Sequence, residues 1–241
     1  MVAVPEPTSD LGPNLTFGLL NRLGAQIVTG AFDGRPSPTE ADISNANGVS
    51  RSVTREAIKM LAAKGMLSAR PRQGITLRSQ ADWNLLDPAV LGWLLQRKVS
   101  IELLAQFNQL RVAIEPAAAA LAASNKSPDL LAEIDQGYAR MVAAENGADD
   151  GLDADIAFHL AVLKASGNPF FMQFRDLVST ALRTSIRFTN RIVGRTADLA
   201  AHGAVRDAIK RRNPEAARKA MTAIIGDVMD LIAQQSDMTV D

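Results

Sequence analysis

The stretch TEADISNANGVSRSVTREAIKMLAAKGMLSARPRQGITL, residues 39–77, decides the fold of the N-terminal part of the chain. Thr39 suits the N-terminal cap of a helix, and Asp42 three residues later comes close to a capping box. This helix must be short, because an Asn-rich segment ending in Gly48 interrupts it. The pattern therefore predicts a one- to two-turn helix followed by a tight glycine turn.

A second helix and a hairpin follow the turn. Ser50 predicts the N-terminal cap, and no Gly or Pro intervenes before Gly65, which predicts the C-terminal end. Residues 66–70 and 75–77 then read as two short strands around a turn. A further helix over Leu15–Val28 precedes the stretch, with apolar residues at helical spacing. Three helices and a hairpin predict a winged helix-turn-helix.

The helix after Ser50 is divided into two faces. Arg51, Arg55 and Lys59 fall on one side of a helical wheel. The opposite, packing side holds Val53, Ala57, Ile58 and Leu61. A solvated charged helix is one interpretation of this division. The glycine turn before it and the basic hairpin after it favour a recognition helix, whose long donors reach base edges in the major groove.

Charge is distributed unevenly along a chain whose net charge is zero. Residues 1–78 carry nine basic and six acidic side chains, whereas residues 79–241 carry seventeen and twenty. Within residues 51–78 the ratio is seven basic side chains to one acidic. A short polycationic surface is therefore expected in a neutral protein, which fits a partner such as double-stranded DNA.

Composition limits the class of protein and its compartment. With 241 residues and 47% hydrophobic content, the chain is long enough for two modest domains. It has no cysteine, so neither a disulfide framework nor a thiolate site is available. No stretch reaches the roughly 18 to 20 apolar residues of a membrane span. We expect a cytoplasmic protein with no membrane partner.

The 39–77 stretch resembles the winged helix-turn-helix of the GntR family of bacterial regulators, through VSR, REA, GxL and the hairpin glycine. The resemblance implies a homodimer on operator DNA, contacted by the start of the recognition helix and by the tip of the wing. The residues implied are Ser50, Arg51, Ser52 and Arg55 in the helix and Arg70, Arg72, Gln73 and Gly74 in the wing. Many relatives have Arg where this chain has Ala41, so one phosphate or base contact is expected to be missing.

Residues from 100 onward are rich in helix-forming side chains and poor in strand signals. Breaks at Gly, Asn and Pro predict six helices in an antiparallel bundle around a central cavity. The fold class predicted is therefore mainly α, with an N-terminal winged helix-turn-helix and a C-terminal all-α bundle. The expected divisions are a flexible N-terminus (1–14), the winged helix-turn-helix (15–78), a linker with a short helix (79–99), an effector-binding domain (100–235) and a tail (236–241).

Two histidines, His159 and His202, are the only ones in the chain. Asp155 precedes His159 by four residues, so the two share one helix face, and Val162 continues that face. The pair is therefore expected to point inward. A structural hydrogen bond between the two side chains is one interpretation, and ligation of a divalent metal is the other.

The segment DADIAFHLAVLKASGNPFF, residues 153–171, resembles the D-x-x-F-H helix of the effector-binding FCD domain in the FadR subfamily. The sequences LRVAIEPAAAALAA from Leu110 and AHGAVRDAIKRRNPEAARKAM from Ala201 resemble its first helix and its closing pair. The resemblance implies a metal site of Asp155, His159 and His202, with zinc as the default ion and nickel or manganese as alternatives. Ile224 stands at or near the position of a third histidine, which leaves coordination positions for water or an effector carboxylate.

Arginines of the helical part are candidates for binding that effector. Arg111 is a carboxylate anchor or, alternatively, a surface residue. Arg183 and Arg187 are weaker candidates on a helix that is expected to line the same cavity.

The segment QADWNLLDPAVLGWLLQ, residues 80–96, resembles the linker of regulators of D-galactonate catabolism. The resemblance implies a repressor that binds a palindromic operator and is released by a galactonate-like sugar acid. A regulator of lactate, pyruvate or another small organic acid is the alternative. A helical metal-binding enzyme is a remote one, because the sequence has neither Glu-x-x-His pairs nor a phosphate-binding loop, and we expect no enzymatic activity.

Overall fold

The computed structural model describes residues 14–70, 74–97, 100–193 and 198–237, with side chains described except at 187–193 and 235–237. The predicted flexible N-terminus and C-terminal tail lie almost entirely outside these ranges. The chain divides into two compact units, Met1–Lys98 and Val99–Asp241. Among the described residues, no helix is both long and apolar enough to cross a membrane.

The N-terminal unit is a winged helix-turn-helix, as predicted. Strands β1 and β2 are antiparallel, with Leu67 opposite Leu77 and Arg70 opposite Gly74. The elements in order are α1 (Leu15–Val28), α2 (Glu40–Asn47), α3 (Arg51–Ala63), β1 (Leu67–Arg70), β2 (Gly74–Leu77), a 3-10 turn (Gln80–Asp82) and α4 (Pro88–Leu94).

The caps that the sequence predicts for α2 and α3 are present. The Thr39 hydroxyl accepts the Asp42 amide at 3.2 Å, and the Asp42 carboxylate accepts the Thr39 amide at 3.0 Å, which completes a capping box. Gly48 ends α2 in a left-handed conformation with φ 61°. The Ser50 hydroxyl then accepts the Val53 amide at 3.3 Å and begins α3.

Helix α4 belongs to the core of the N-terminal unit, although the sequence had placed it in a linker. Val90, Trp93 and Leu94 are buried in the same apolar cluster as the side chains of α1 and α3, and α4 packs against α1. The Trp93 indole N–H donates to the Asn21 side-chain oxygen at 3.2 Å. A short helix with one apolar face gains stability by burying that face, and α1 supplies the surface for it.

The C-terminal end of α3 is tied to the start of α4. Gly65 has φ +76°, and a Cβ at this position would overlap the carbonyl oxygen of Asp82. The Lys64 ammonium pairs with the Asp87 carboxylate at 2.7 Å. The other oxygen of Asp87 accepts the amide of Ala89 at 2.9 Å, so that Asp87 is also the N-terminal cap of α4.

The C-terminal unit is built of seven helices within the described residues, one more than the six predicted. The additional one is a single turn in which Asn168 is the N-terminal cap and Pro169 is the first residue. The helices are α5 (Ile101–Ser124), α6 (Pro128–Glu145), α7 (Gly151–Ala165), α8 (Pro169–Met172), α9 (Arg175–Val193), α10 (Leu199–Lys210) and α11 (Pro214–Asp237).

Helix α5 packs against α7, α9, α10 and α11, and α6 packs against α7. Gly137 of α6 lies so close to α7 that a Cβ there would come within 2.9 Å of the Phe158 Cα. Phe158 is fully buried between its neighbours. This packing surrounds the inner face of α7, on which Asp155 and His159 lie.

Candidate metal centre and DNA-binding surface

The structure brings Asp155, His159 and His202 together in the interior of the C-terminal unit. All three side chains are buried, the first two on α7 and the third on α10. The Asp155 Oδ1 atom lies 3.0 Å from His202 Nε2 and 3.4 Å from His159 Nε2. The two Nε2 atoms are 3.3 Å apart. One carboxylate oxygen and two imidazole nitrogens therefore converge on a single point.

The other nitrogen of each imidazole contacts a hydrogen-bond acceptor. His159 Nδ1 lies 2.5 Å from Glu115 Oε2, and His202 Nδ1 lies 2.7 Å from the Asp198 carbonyl oxygen. Since neither partner has a proton to donate, Nδ1 carries the hydrogen in both rings. In the neutral rings both Nε2 atoms are then lone-pair acceptors, as they are in metal-bound histidines.

The Asp155 Oδ1 atom is buried and, as long as both Nε2 atoms lack a hydrogen, has no hydrogen-bond donor among the described residues. A buried carboxylate oxygen without a partner is unfavourable by about 1 to 3 kcal/mol or more. A divalent cation at the convergence point would satisfy all three acceptors. The donor set of two nitrogens and one oxygen fits zinc, nickel or manganese, with coordination positions left open.

The ionisable groups of this cluster have strongly shifted pKa values. Burial acts to lower the pKa of His159, but the charges of Glu115 and Asp155 outweigh it and raise this pKa to about 9. Burial acts to raise the pKa of Asp155, but both imidazoles hold it well below its usual range. Without a metal ion, a proton on His159 therefore supplies the positive charge that the cluster requires.

Arg111 is buried with 1% of its side chain exposed, which rules out the surface alternative. Its Nε donates to Glu115 Oε1 at 2.6 Å, and its Nη1 donates to the Asn108 side-chain oxygen at 3.1 Å. Its Nη2 is buried and has no hydrogen-bond partner among the described residues. Although burial opposes it, Arg111 and His159 together lower the pKa of Glu115 to about 2. One nitrogen of this buried guanidinium is therefore available as a donor.

Sequence reasoning missed Glu115 and Asn108. Glu115 follows Arg111 by four residues, a spacing at which opposite charges meet on one helix face, and this was the available signal. Asn108 also donates to the Ser185 hydroxyl at 2.9 Å, which links α5 to α9. No comparable sequence signal identifies Asn108, because its partners lie on two different helices.

Two other predicted effector residues are not joined to this cluster by any described contact. Arg183 is 38% exposed and pairs with Asp153 at 2.9 Å. The side chain of Arg187 lies outside the described residues. Ile224 is buried among apolar side chains that include Phe158, and it offers no ligand atom.

The predicted DNA-contacting residues of the N-terminal unit lie at its surface. Exposed side chains at the start of α3 and at the strand ends are those of Ser50, Arg51, Ser52, Arg55 and Arg70, with Gly74 exposed beside them. Arg72 and Gln73 lie outside the described residues.

Arg55 is 64% exposed, and its Nε pairs with Glu40 Oε2 at 2.9 Å, a contact that sequence reasoning missed. A groove of about 610 Å³ separates α3 from the hairpin, and its lining includes Glu40, Arg55, Lys59 and Arg70. Glu40 of α2 therefore adds one carboxylate to an otherwise cationic surface, where it pairs with Arg55.

Two protein families account for most of the chain. Residues 19–77 match the bacterial regulatory proteins of the gntR family, and residues 106–227 match the FCD domain. The solved structure of Lar from Listeria monocytogenes superimposes with a TM-score of 0.61 at 18% identity, over 91% of this chain and 97% of that one. That likeness shows that the fold is shared.

Curated relatives extend over nearly the whole chain. The uncharacterized HTH-type transcriptional regulator YieP of Escherichia coli is 32% identical over 88% of this chain and 93% of its own length. The galactonate operon transcriptional repressor of Escherichia coli is 31% identical over 88% and 94%. A putative L-lactate dehydrogenase operon regulatory protein of Escherichia coli is 29% identical over 92% and 85%. The chain belongs to the GntR family of bacterial transcription regulators, and it carries the FCD domain at its C-terminal side.

Proposed function

We propose that the protein is a dimeric, metal-containing repressor that a small carboxylate releases from its operator. The observation that carries the proposal is the convergence of Asp155, His159 and His202 on one point, with the unpartnered donor of Arg111 in the same buried network. Three protein ligands leave room for a carboxylate in the coordination sphere of the ion. The domain thereby gains a binding site for both a cation and an organic acid.

A galactonate-like sugar acid is the first candidate effector, supported by the likeness to the galactonate operon repressor. Lactate or another small organic acid is the second, supported by the lactate operon relative. Galactonate and lactate both carry a carboxylate with a neighbouring hydroxyl, which suits a metal ion next to a guanidinium. We assign the effector anchor to Arg111 ahead of Arg183 and Arg187, because Arg111 alone of the three is described as buried and linked to His159.

Operator binding is assigned to the exposed surface of α3 and the hairpin. The exposed arginines Arg51, Arg55 and Arg70 provide charge for phosphates and donors for guanine. Arg72 and Gln73 are included because they match the wing tip of the family. Effector binding releases DNA only if the effector prefers the dimer geometry that does not fit the operator, since equal affinity for both geometries shifts nothing.

The metal assignment is tested by elemental analysis of protein purified without chelators. Asp155→Asn and His159→Ala should each remove most of the bound ion. Asp153→Asn, on the same helix but exposed and paired with Arg183, is the matched control and should keep it. Equal metal content in wild type, Asp155→Asn and His159→Ala would refute the assignment.

The DNA surface is tested by titrating the native upstream DNA with wild-type protein and variants. Arg55→Ala should weaken specific binding by about 1 to 3 kcal/mol if this side chain reads a base. Lys219→Ala, an exposed charge removal on α11, is the control. Operator affinity that is the same in Arg55→Ala and wild type would exclude a base-reading function for Arg55.

The effector class is tested on the same protein–DNA complex. D-galactonate should lower operator affinity in wild-type protein. Arg111→Lys should raise the concentration required, because an ammonium cannot reproduce the planar guanidinium in which Glu115 and Asn108 hold two nitrogens while the third has no partner among the described residues. Release by L-lactate and not by any sugar acid would favour the second candidate. Operator affinity that no sugar acid alters would exclude the first.

A further inference from the structure

Glu115 of α5 makes one contact to each of two groups with different proposed functions. Its Oε2 lies 2.5 Å from Nδ1 of the metal-ligand candidate His159, and its Oε1 accepts from Nε of the anion-binding candidate Arg111 at 2.6 Å. The side chains of Glu115 and Arg111 are each only 1% exposed, so water does not compete for these contacts. One carboxylate therefore joins the two parts of the site.

We propose that Glu115 is a positioning residue that couples Arg111 to the metal site, so that an anion bound to Arg111 changes the affinity of the site for the ion. The inference rests on the proposed metal site and deepens it. Glu115 itself contacts neither the ion nor the effector in this arrangement. It acts through the ring of His159 on one side and through the guanidinium of Arg111 on the other.

The coupling depends on the ability of a carboxylate to accept at both ends. By accepting the Nδ1–H of His159, Glu115 keeps the Nε2 lone pair directed at Asp155 and His202. By accepting from Arg111, it holds a guanidinium that is always a donor. No other described contact holds either the His159 Nδ1 or the Arg111 Nε.

Arg111 has the means to transmit a binding event. Its Nη1 is held by Asn108, while its Nη2 is buried without a partner among the described residues. An anion that accepts a hydrogen bond from Nη2 displaces the guanidinium and weakens its hydrogen bond to Glu115. Glu115 then interacts more strongly with His159. Affinity for the ion and for the anion must change together, because linkage between two sites is reciprocal.

The substitution Glu115→Gln separates the two contacts, because an amide accepts at only one of its ends. Arg111 requires the amide oxygen, so the amide N–H₂ faces His159 and forces Nδ1 to become the acceptor. The hydrogen of the ring then moves to Nε2, where the lone pair is needed for the ion. We expect the affinity for Zn²⁺ to fall by about 10- to 100-fold.

The double substitution Arg111→Met/Glu115→Gln distinguishes coupling from a merely structural role. Without the guanidinium, the amide oxygen of Gln is free to accept from His159, and the metal-competent ring is restored. The buried ion pair is replaced by two neutral side chains of similar size, a change that buried pairs often tolerate. Zn²⁺ affinity should therefore recover at least tenfold over Glu115→Gln alone.

The experiment measures Zn²⁺ affinity of the full chain by competition with a chromophoric chelator, together with histidine ¹⁵N NMR. Only two histidines contribute to the spectra. Glu102→Gln, at the exposed start of α5 with a contact to Gln106, is the matched control and should bind as wild type does. Zinc-loaded wild type should show His159 protonated at Nδ1, whereas Glu115→Gln should show Nε2 protonation.

The possible results distinguish a failure of the coupling from a failure of the proposed metal site. Wild type without affinity for Zn²⁺ would overturn the metal site and the coupling together. Wild type that binds while Glu115→Gln binds equally well, or a double variant weaker than Glu115→Gln, would overturn the coupling alone. If circular dichroism shows Glu115→Gln unfolded, the zinc-loaded wild-type spectrum decides, and a ring of His159 protonated at Nε2 would refute the inference.

Discussion

His159 is the residue on which the contacts of the buried cluster converge. It meets Glu115 at Nδ1, Asp155 and His202 at Nε2, and the edge-to-face ring of Phe158 at 5.8 Å between centroids. Its Nε2 serves either a proton or a metal ion, but not both. Proton and metal are therefore competitors for one lone pair.

This competition predicts a pH dependence of metal binding. The pKa of His159 is raised to about 9, so the ring carries an extra proton in the metal-free protein at neutral pH. Binding of Zn²⁺ at pH 7.5 should release about one proton, and apparent affinity should rise about tenfold per pH unit until it levels off above about pH 9. Calorimetry in two buffers of different ionisation enthalpy measures the proton count.

The variant Asp155→Asn provides the comparison for this measurement. It removes one ligand and one of the charges that hold the proton on His159. Both the heat of binding and the released proton should diminish in it. Zn²⁺ binding by the wild type at pH 7.5 with no proton released would contradict the assigned state of His159.

Single-residue predictions from sequence named the ligand candidates and the buried arginine of the cluster, but not the carboxylate that joins them, Glu115. The i, i+4 spacing of Asp155 and His159 indicated a shared inward face, which the burial of both side chains confirms. The partner of Arg55 was missed, because the contact with Glu40 depends on how α2 meets α3. Side-chain partners on separate elements follow from tertiary packing, which one sequence does not display.

Among the elements, α3 is held at both ends by features of different kinds. The hydroxyl of Ser50 caps its start, and the left-handed Gly65 ends it next to the backbone of Asp82. The placement of the exposed residues at the start of α3 thus depends also on Gly65, at the opposite end of the helix.

Gly65→Ala should destabilise the N-terminal unit much more than Gly74→Ala. Both glycines have nearly the same positive φ, +76° and +78°, so the backbone penalty of about 1 to 2 kcal/mol is shared. Only at Gly65 would the new Cβ overlap a backbone carbonyl, which adds about 1 to 3 kcal/mol of overpacking. Urea denaturation followed by tryptophan fluorescence reports on this unit, because both tryptophans, Trp83 and Trp93, lie in it. Equal losses in the two variants would show that the overlap is relieved at little cost.

Sequence patterns predicted which helices and strands this unit contains, but not how α4 packs. Caps and hydrophobic periodicity predicted α2, α3 and the hairpin, and all three are confirmed. Helix α4 was also expected, but as part of a linker. Its apolar face fits any nearby surface, and only the folded chain shows that Trp93 lies against Gly24 of α1.

At the scale of the whole molecule, the two units contain separate hydrophobic cores, and the candidate metal site lies entirely within the C-terminal unit. His159 and His202 are 43 residues apart in sequence and belong to α7 and α10. An ion held between them would restrain two helices that are distant along the chain.

Hydrogen exchange should show where that restraint acts. Addition of Zn²⁺ at 100 times its dissociation constant stabilises the bound form by about 2.7 kcal/mol. Amides of α7, α10 and the middle of α5 should gain the most protection, with α1 as the internal reference. The Asp155→Asn variant should lose most of the gain. Protection that rises equally in α1 and α7 would contradict a local restraint.

The ion pair between Lys64 and Asp87 has a consequence for natural variation among relatives. Asp87 both pairs with the lysine and caps α4, whereas Lys64 contributes only its charge to the pair. Loss of the lysine leaves the aspartate with its capping contact. Loss of the aspartate leaves a half-buried lysine without its partner and a helix without its cap. Relatives should therefore vary at the lysine position while keeping Asp, Asn, Ser or Thr at the other.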